Sequence, residues 1–304
     1  MAAALEYERI TKEYRRRFFG RSVRALDEFS LRVETGEIFG FLGPNGAGKT
    51  TAIHLALGFM RPTSGRGWML GRQFGHPATR RQVGFLAENV ALYHRPAAAL
   101  VRFYGGLNGI PNDVLRRRTR EILESVNLNA EADRNVSQFS RGMVQRMGLA
   151  QALVNDPDLV ILDEPTSALD PVARVMVREL LLSLKEQGKT IFLSSHMLSE
   201  VELVCDRVAV LHKGQVARQG KTSDLLQSRE QSQVVVRGID KNVFPGAVAS
   251  NGFVTFTIAA TAQRQTLERV WGLGGEIVSV NPLRRSLEDI FLEVTSANPQ
   301  ENSR

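Results

Sequence analysis

The chain has 304 residues, of which 43% are apolar, and carries 39 basic against 32 acidic side chains for a net charge of +7. This length suits about two domains of roughly 100–200 residues each, the apolar content is ordinary for a soluble globular protein, and a single cysteine, Cys205, excludes an internal disulfide and fits a reducing cytoplasm. No run approaches the roughly 18 uninterrupted apolar residues of a membrane span, and Met1 to Leu5, followed at once by Glu6 and Glu8, reads as no secretion signal.

In chain order, Leu5 to about Ile38 is expected to form antiparallel strands. The stretch Thr11 to Arg24 holds six basic residues (Lys12, Arg15, Arg16, Arg17, Arg21, Arg24) against one acid, Glu13, so the positive excess is local. With Phe18-Phe19-Gly20 inside it, the stretch reads as a hairpin loop, either solvated or in contact with anionic headgroups or an acidic partner face. Ile38 to Leu42 is a short apolar strand, followed by a glycine-rich loop to Thr50 and a helical pattern from Thr51 to Gly58. Ala97 to Leu107, Asn112 to Val126 and Arg141 to Asn155 carry helical periodicity and make a helical lobe of about 96–155. Arg116-Arg117-Arg118 with Arg120 falls on an exposed face of the second of these helices.

Leu159 to Leu162 is a second apolar strand, ending in Asp163 and Glu164. A helix over Pro171 to Gln187 opens on proline and stops at Gly188, strands follow at Thr190 to Leu193 and Arg207 to Leu211, and Lys213-Gly214-Gln215 is a hairpin turn. From about Glu230 the pattern changes. Strands at Gln233 to Arg237, Phe253 to Ile258 and Glu276 to Val280, with helices at Ala262 to Trp271 and Ser286 to Val294, describe a small α+β domain. Its seven basic and seven acidic residues from Gln231 to Arg304 make no cationic nucleic-acid platform. The expected domains are therefore 1–228 and 229–304, with a disordered tail after about 296.

The chemistry concentrates in two of these segments. Gly43-Pro44-Asn45-Gly46-Ala47-Gly48-Lys49-Thr50 sits between strand and helix, the context in which a glycine-rich loop cradles a nucleoside triphosphate. Its glycines let successive N–H groups point at the phosphates, and the helix behind adds its positive dipole end. Lys49 is expected to reach the terminal phosphates and Thr50 to place its hydroxyl on Mg2+. Asp163 and Glu164 end a buried parallel strand, the edge at which open α/β sheets bind ligands. Asp163 would hold Mg2+ and Glu164 would face the attacking water.

These motifs, in this order, resemble the nucleotide-binding subunit of ABC transporters over about Leu5 to Gln227. The phosphate loop comes first, then the signature turn Phe139-Ser140-Arg141-Gly142-Met143, the Asp163-Glu164 strand, the turn Ser167-Ala168-Leu169-Asp170, and His196 after Ser194-Ser195. The resemblance implies an α/β P-loop NTPase with a RecA-like core sheet, an antiparallel β subdomain and a helical signature subdomain, followed by the small C-terminal α+β domain. It implies ATP and Mg2+ as cofactors, with Gly43 through Thr51 around the phosphates. It also implies that Ser140 and Gly142 contact the γ-phosphate of a second subunit across a head-to-tail dimer, with Asp170 at the seam and His196 on the γ-phosphate in cis. Tyr14 matches the aromatic that stacks on adenine, the alternative being an ordinary surface-strand tyrosine.

Three departures from the family pattern stand out. Met143 replaces the glutamine of the signature. Glu88, in Val83 to Asn89, takes the place of a glutamine beside Mg2+, unless a one-residue shift offers Asn89 instead; a carboxylate there adds negative charge near the phosphates. The long basic stretch Thr11 to Arg24 is the third. The C-terminal domain, with its Leu287 to Leu292 segment, resembles extensions on the ATPase subunits of multidrug, sodium and cytochrome-maturation exporters. The resemblance thus implies an ATP hydrolase at the cytoplasmic face of the cell membrane, a homodimer driving a separate polytopic permease of the ABC-2 type. The alternatives are a soluble ABC-type ATPase acting on ribosome or nucleic acid, and a non-hydrolytic ATP switch.

Overall fold

Alternating apolar and polar residues give strands β1 (Ala3–Tyr14) and β2 (Val23–Glu34) one buried face each, and the two pair antiparallel. In the computed structural model, which describes residues 3–14, 22–226 and 228–296, the alternation slips at Arg9 and Glu28, both left-handed at φ 46° and 44°. Register shifts there let Tyr7 and Ile10 on β1, and Leu26 and Phe29 on β2, all be buried although the two residues of each strand are three apart. Of the basic stretch, Arg15 to Arg21 lies outside the described residues, as do Gln227 and the tail after 296. Arg24 is paired with Glu13 at 2.9 Å and Asp27 at 2.8 Å.

The chain then enters the core. Strand β3 (Ile38–Leu42) leads through the glycine-rich loop into helix α1 (Lys49–Ala56). The short strands β4 (Ser64–Met69) and β5 (Arg72–Gln73) complete an antiparallel sheet in the order β2-β1-β4-β5. After β6 (Val83–Leu86) come the lobe helices α2 (Ala97–Leu107), α3 (Asn112–Ser125) and α4 (Arg141–Leu153). The rest of this unit is β7 (Leu159–Asp163), α5 (Pro171–Glu186), β8 (Thr190–Ser195), α6 (Leu198–Val204), β9 (Arg207–His212) and β10 (Gln215–Lys221). The six-stranded sheet runs β10-β9-β3-β8-β7-β6, parallel except for β10. Every residue of β3, β7 and β8 is buried, because elements cover both faces, and this explains their uninterrupted apolar runs.

One hydrophobic cluster joins the antiparallel sheet, α1 and the core sheet. Phe29 meets Phe41 edge-on at 5.8 Å, Phe41 meets Phe192 at 5.1 Å, and Phe192 stacks on Phe39 at 6.0 Å. Tyr7 places its ring against Phe29 and donates its buried hydroxyl to the Ala52 carbonyl at 3.1 Å; burial holds its pKa well above the usual range. Cys205 is also buried, and desolvation raises its thiol far above the usual pKa. The helical lobe is set closely on the sheet: a methyl group on Gly84 of β6 would lie 2.2 Å from the Ala152 carbonyl of α4.

Elements largely match the sequence-based expectation, with shifted ends. α1 begins at Lys49 rather than Thr51, since left-handed Gly48 directly precedes the helix. α4 ends at Leu153, and β8 runs on through Ser194 and Ser195, which stay in the strand because both are buried and hydrogen-bonded. α6 was not legible at all. Two compact units result, Met1–Thr222 together with Phe291–Arg304, and Ser223–Ile290. Helix α7 (Thr222–Leu225) precedes the second unit's β11 (Ser228–Arg237), β12 (Val248–Ser250), β13 (Phe253–Ala259), α8 (Gln263–Gly272) and β14 (Glu276–Arg284), before α9 (Leu287–Ser296). Its antiparallel sheet, ordered β12-β13-β11-β14, packs Val234, Val236 and Val254 with Val270 of α8 and a stacked Phe244–Phe256 pair at 4.1 Å.

Among the described residues no helix is long and apolar enough to cross a membrane. Phe192 is fully buried between Phe39 and Phe41. Phe192→Ala should therefore lower the free energy of unfolding in urea by about 3–5 kcal/mol; a loss of only a few tenths would show that these rings do not carry the core.

Candidate functional site

The register of the parallel sheet assembles the site. Leu42 lies opposite Ser195, and Asp163 opposite Ser194, so β3, β7 and β8 release their chains at one edge. There the loop Gly43 to Gly48 turns into α1 with Gly46 at φ 79° and Gly48 at φ 111°. Gly48 has no room for a side chain, since a Cβ would lie 2.5 Å from the Ala25 carbonyl. The loop surrounds a cavity of about 570 Å³ lined also by Lys49, Thr50, Thr51, Asp163, Glu164 and His196. Ala47 lies behind it, buried, its N–H donating to the Pro44 carbonyl at 3.1 Å.

Lys49 is buried along the loop and donates to the carbonyls of Gly43 at 2.6 Å and Pro44 at 3.3 Å. Burial pushes its ammonium below the usual range, while Glu164, Asp163 and Glu88 pull it upward. Asp163 is held on both oxygens. The Ser194 hydroxyl donates to Oδ1, and the Thr50 hydroxyl lies 3.4 Å from Oδ2. The oxygens of Thr50, Asp163 and Glu88 thus face one cavity as a hard-donor set.

Glu164 has an unusual backbone. It is left-handed at φ 54° although it is not glycine, a strained state found where structure over-determines a residue. Its N–H donates to the Ser194 carbonyl at 3.0 Å, and its own carbonyl accepts from Gln145 Nε2 at 3.3 Å and Ser167 Oγ at 3.1 Å. The side chain is one-tenth exposed and meets His196 Nδ1 at 2.7 Å, while His196 itself is 60% exposed. A buried carboxylate is therefore aimed into the cavity and bridged to an exposed imidazole. Tyr14 lines the same cavity, as do Val23 and Ala25, its hydroxyl 3.4 Å from Thr51 Oγ1 and 3.3 Å from Met60 Sδ.

A glycine-rich loop opening a helix and a buried ammonium suit a polyphosphate, and the acids beside them suit a cation that accompanies it. The protein-family model for the ABC transporter matches residues 26–167. An uncharacterized ABC transporter ATP-binding protein of Nostoc sp. is 41% identical over 93% of this chain and 87% of its own. The chain belongs to the ABC transporter ATP-binding proteins. The Nod factor export ATP-binding protein I of Cupriavidus pinatubonensis is 35% identical over 97% of this chain and 91% of its own. A solved dimeric ATP-binding cassette in a post-hydrolysis state, bound to ADP and Pi, superposes with a TM-score of 0.67 at 26% identity, over 72% of this chain and 98% of that one. This protein is accordingly an ABC ATPase, built to bind and hydrolyse ATP.

In the ABC ATPase the signature turn stands apart from the cavity. Ser140 caps α4, its Oγ accepting from the Met143 N–H at 3.3 Å, and Gly142 faces the Ala168 carbonyl and Leu169. Asp170 caps α5 through the Ala173 N–H at 2.9 Å. None of Ser140, Gly142 and Asp170 lines the cavity. Glu88 lines it and Asn89 does not. Three residues without an expected role hold the acids, Ser194 on Asp163, and Gln145 and Ser167 on Glu164. Ser194-Ser195 before His196 was a usable signal for the first; a glutamine inside a helix gave none.

The glycines supply a direct test. Gly46→Ala has open space around the new methyl and should lose about 1–2 kcal/mol of stability, from left-handed strain alone. Gly48→Ala meets the Ala25 carbonyl at 2.5 Å and should in addition weaken binding of a fluorescent ATP analogue by at least about tenfold. Equal affinities in the two variants would show that the close approach does not shape the loop.

Proposed function

We propose that this ABC ATPase is the motor subunit of an ABC-2 type exporter, with an ATP-binding domain over 1–228 and an accessory domain over 229–304. It acts as a head-to-tail homodimer at the cytoplasmic face of the cell membrane, bound to a separate polytopic permease. The observation that carries this reading is the division of the site. The phosphate loop, Asp163, Glu164 and His196 converge on one cavity, whereas the Ser140–Gly142 turn of the same chain lies outside it. A second copy is the natural source of that turn, offering the free N–H groups of a helix N-terminus to the γ-phosphate. The export function named for the Cupriavidus relative favours this reading over a ribosome- or nucleic-acid-directed ATPase.

The geometry supports the following division of roles. Along the loop Gly43 to Thr51, the N–H groups of residues other than Pro44, which has none, and Ala47, whose N–H is taken by the Pro44 carbonyl, hold the β- and γ-phosphates with the Lys49 ammonium, and Tyr14 stacks on adenine. Thr50, Asp163 and Glu88 would hold Mg2+, which screens charge where three carboxylates and a triphosphate otherwise face a single lysine. Glu164 accepts a proton from the water that attacks the γ-phosphorus, as the bond to the β-phosphate oxygen breaks. His196 keeps the Glu164 carboxylate aimed and contacts the γ-phosphate.

A permease contact is supported at the surface. Phe59, Tyr93 and Leu107 are 64%, 63% and 69% exposed. Phe59 packs on Phe85 at 6.0 Å and Tyr93 on Phe103 at 5.7 Å, on either side of the segment that carries Glu88. A partner seated there would press on a cavity residue.

Two measurements decide between readings. Glu164→Gln should bind ATP normally, release phosphate at least about 100-fold more slowly, and form a stable dimer in ATP by light scattering. A monomeric, fully active variant would sink the motor reading. Second, the wild-type protein should co-purify from solubilised membranes with a polytopic subunit, and Tyr93→Ser with Phe59→Ser should lose that subunit while retaining ATP binding. Retention of the subunit by the double variant would remove this surface from the contact.

A further inference from the structure

Helix α4 carries on two consecutive residues hydrogen bonds that point in different directions. Gln145, only 4% exposed, donates Nε2 to the Glu164 carbonyl at 3.3 Å. Arg146 donates Nη1 to the carbonyls of Asn127 at 2.6 Å and Val126 at 3.2 Å, beyond the end of α3. The first turn of the same helix holds Ser140 and Gly142, and Gly142 lies against Ala168 and Leu169, a few residues after Glu164. One rigid element therefore joins the signature turn, the helical lobe and the backbone of the carboxylate that faces water.

The residue it grips is poised to respond. Glu164 sits in the left-handed region at φ 54°, and such a conformation persists only while its surroundings hold it. Its carbonyl has two side-chain donors, Ser167 Oγ from its own turn and Gln145 Nε2 from α4. Only the second comes from outside the turn. We propose that Gln145 is a positioning residue that ties the Glu164 backbone to α4, so that the signature turn's hold on a neighbouring protomer's nucleotide sets the aim of the base in its own protomer. The inference rests on the head-to-tail dimer proposed above. Each protomer's hydrolysis then depends on whether the other nucleotide is present, through a side chain that touches neither ATP.

The test is a double-mutant cycle on turnover. Gln145→Met keeps the length and burial of the side chain and removes the donor. It should lower kcat by about 10- to 100-fold, because small misplacements of a reacting group are costly, while KM and ATP-driven dimerisation in a Glu164→Gln background stay within about twofold. Ser140→Ala should lower kcat in the parent, and combined with Gln145→Met it should lower it by much less than the product of the two single losses. Ser167→Ala loosens the same carbonyl from within its turn and should combine with Ser140→Ala multiplicatively. Should Gln145→Met not fold by thermal melting, Gln145→Leu enters the same cycle. Multiplicative losses for Ser140 and Gln145, or an unchanged kcat, overturn the coupling; failure of Glu164→Gln to dimerise in ATP overturns the dimer reading instead.

Discussion

The pairing of β7 with β8 is the constraint on which the site depends. Because Asp163 stands opposite Ser194, the serine hydroxyl reaches the aspartate Oδ1 and the Glu164 N–H reaches the Ser194 carbonyl. His196 then emerges within hydrogen-bond distance of Glu164. A slip of one residue would turn every side chain of the strand to the opposite face and separate all three contacts at once. Close packing of particular side chains on both faces of β3, β7 and β8 resists that slip, so the chemistry at the sheet edge inherits its precision from the core.

Electrostatics gives the site its direction. Glu88, Asp163 and Glu164 face a single ammonium that burial has already made less comfortable with its charge. Such a cavity is strained in favour of ligands that bring cations with their phosphates, and its tolerance of the extra carboxylate at Glu88 fits the same balance. The signature turn, with Met143 in place of a hydrogen-bonding glutamine, offers its backbone and the Ser140 hydroxyl rather than an amide side chain.

Much of this was legible in the amino-acid sequence because it is local. The phosphate loop is eight contiguous residues whose glycines each have a steric reason, and Asp163-Glu164 follow directly on the strand that presents them. The central strands announced themselves through unbroken apolar runs, and Pro171 and Gly188 bracketed α5. What escaped was non-local or carried by residues without a characteristic habit. Gln145 lies nineteen positions from the carbonyl it holds, and a polar residue within a helix looks the same whether it faces solvent or a buried peptide. Arg9, Glu28 and Glu164 adopt positive φ without being glycine, so no residue type marks the bulges or the strained turn. Ser194 and Ser195 looked like a strand end, and only pairing with Asp163 shows why hydroxyls continue it.

Cys205 has a practical side. The chain's only thiol is sealed beside β3, 6% exposed and raised by burial out of the reactive range. Maleimide chemistry on the native fold therefore begins from a blank background. A cysteine introduced on the surface, whether on the signature helix or the accessory unit, would be a unique handle for a fluorophore or spin label without first deleting the natural sulfur, and the opening and closing of two protomers could be followed as a distance.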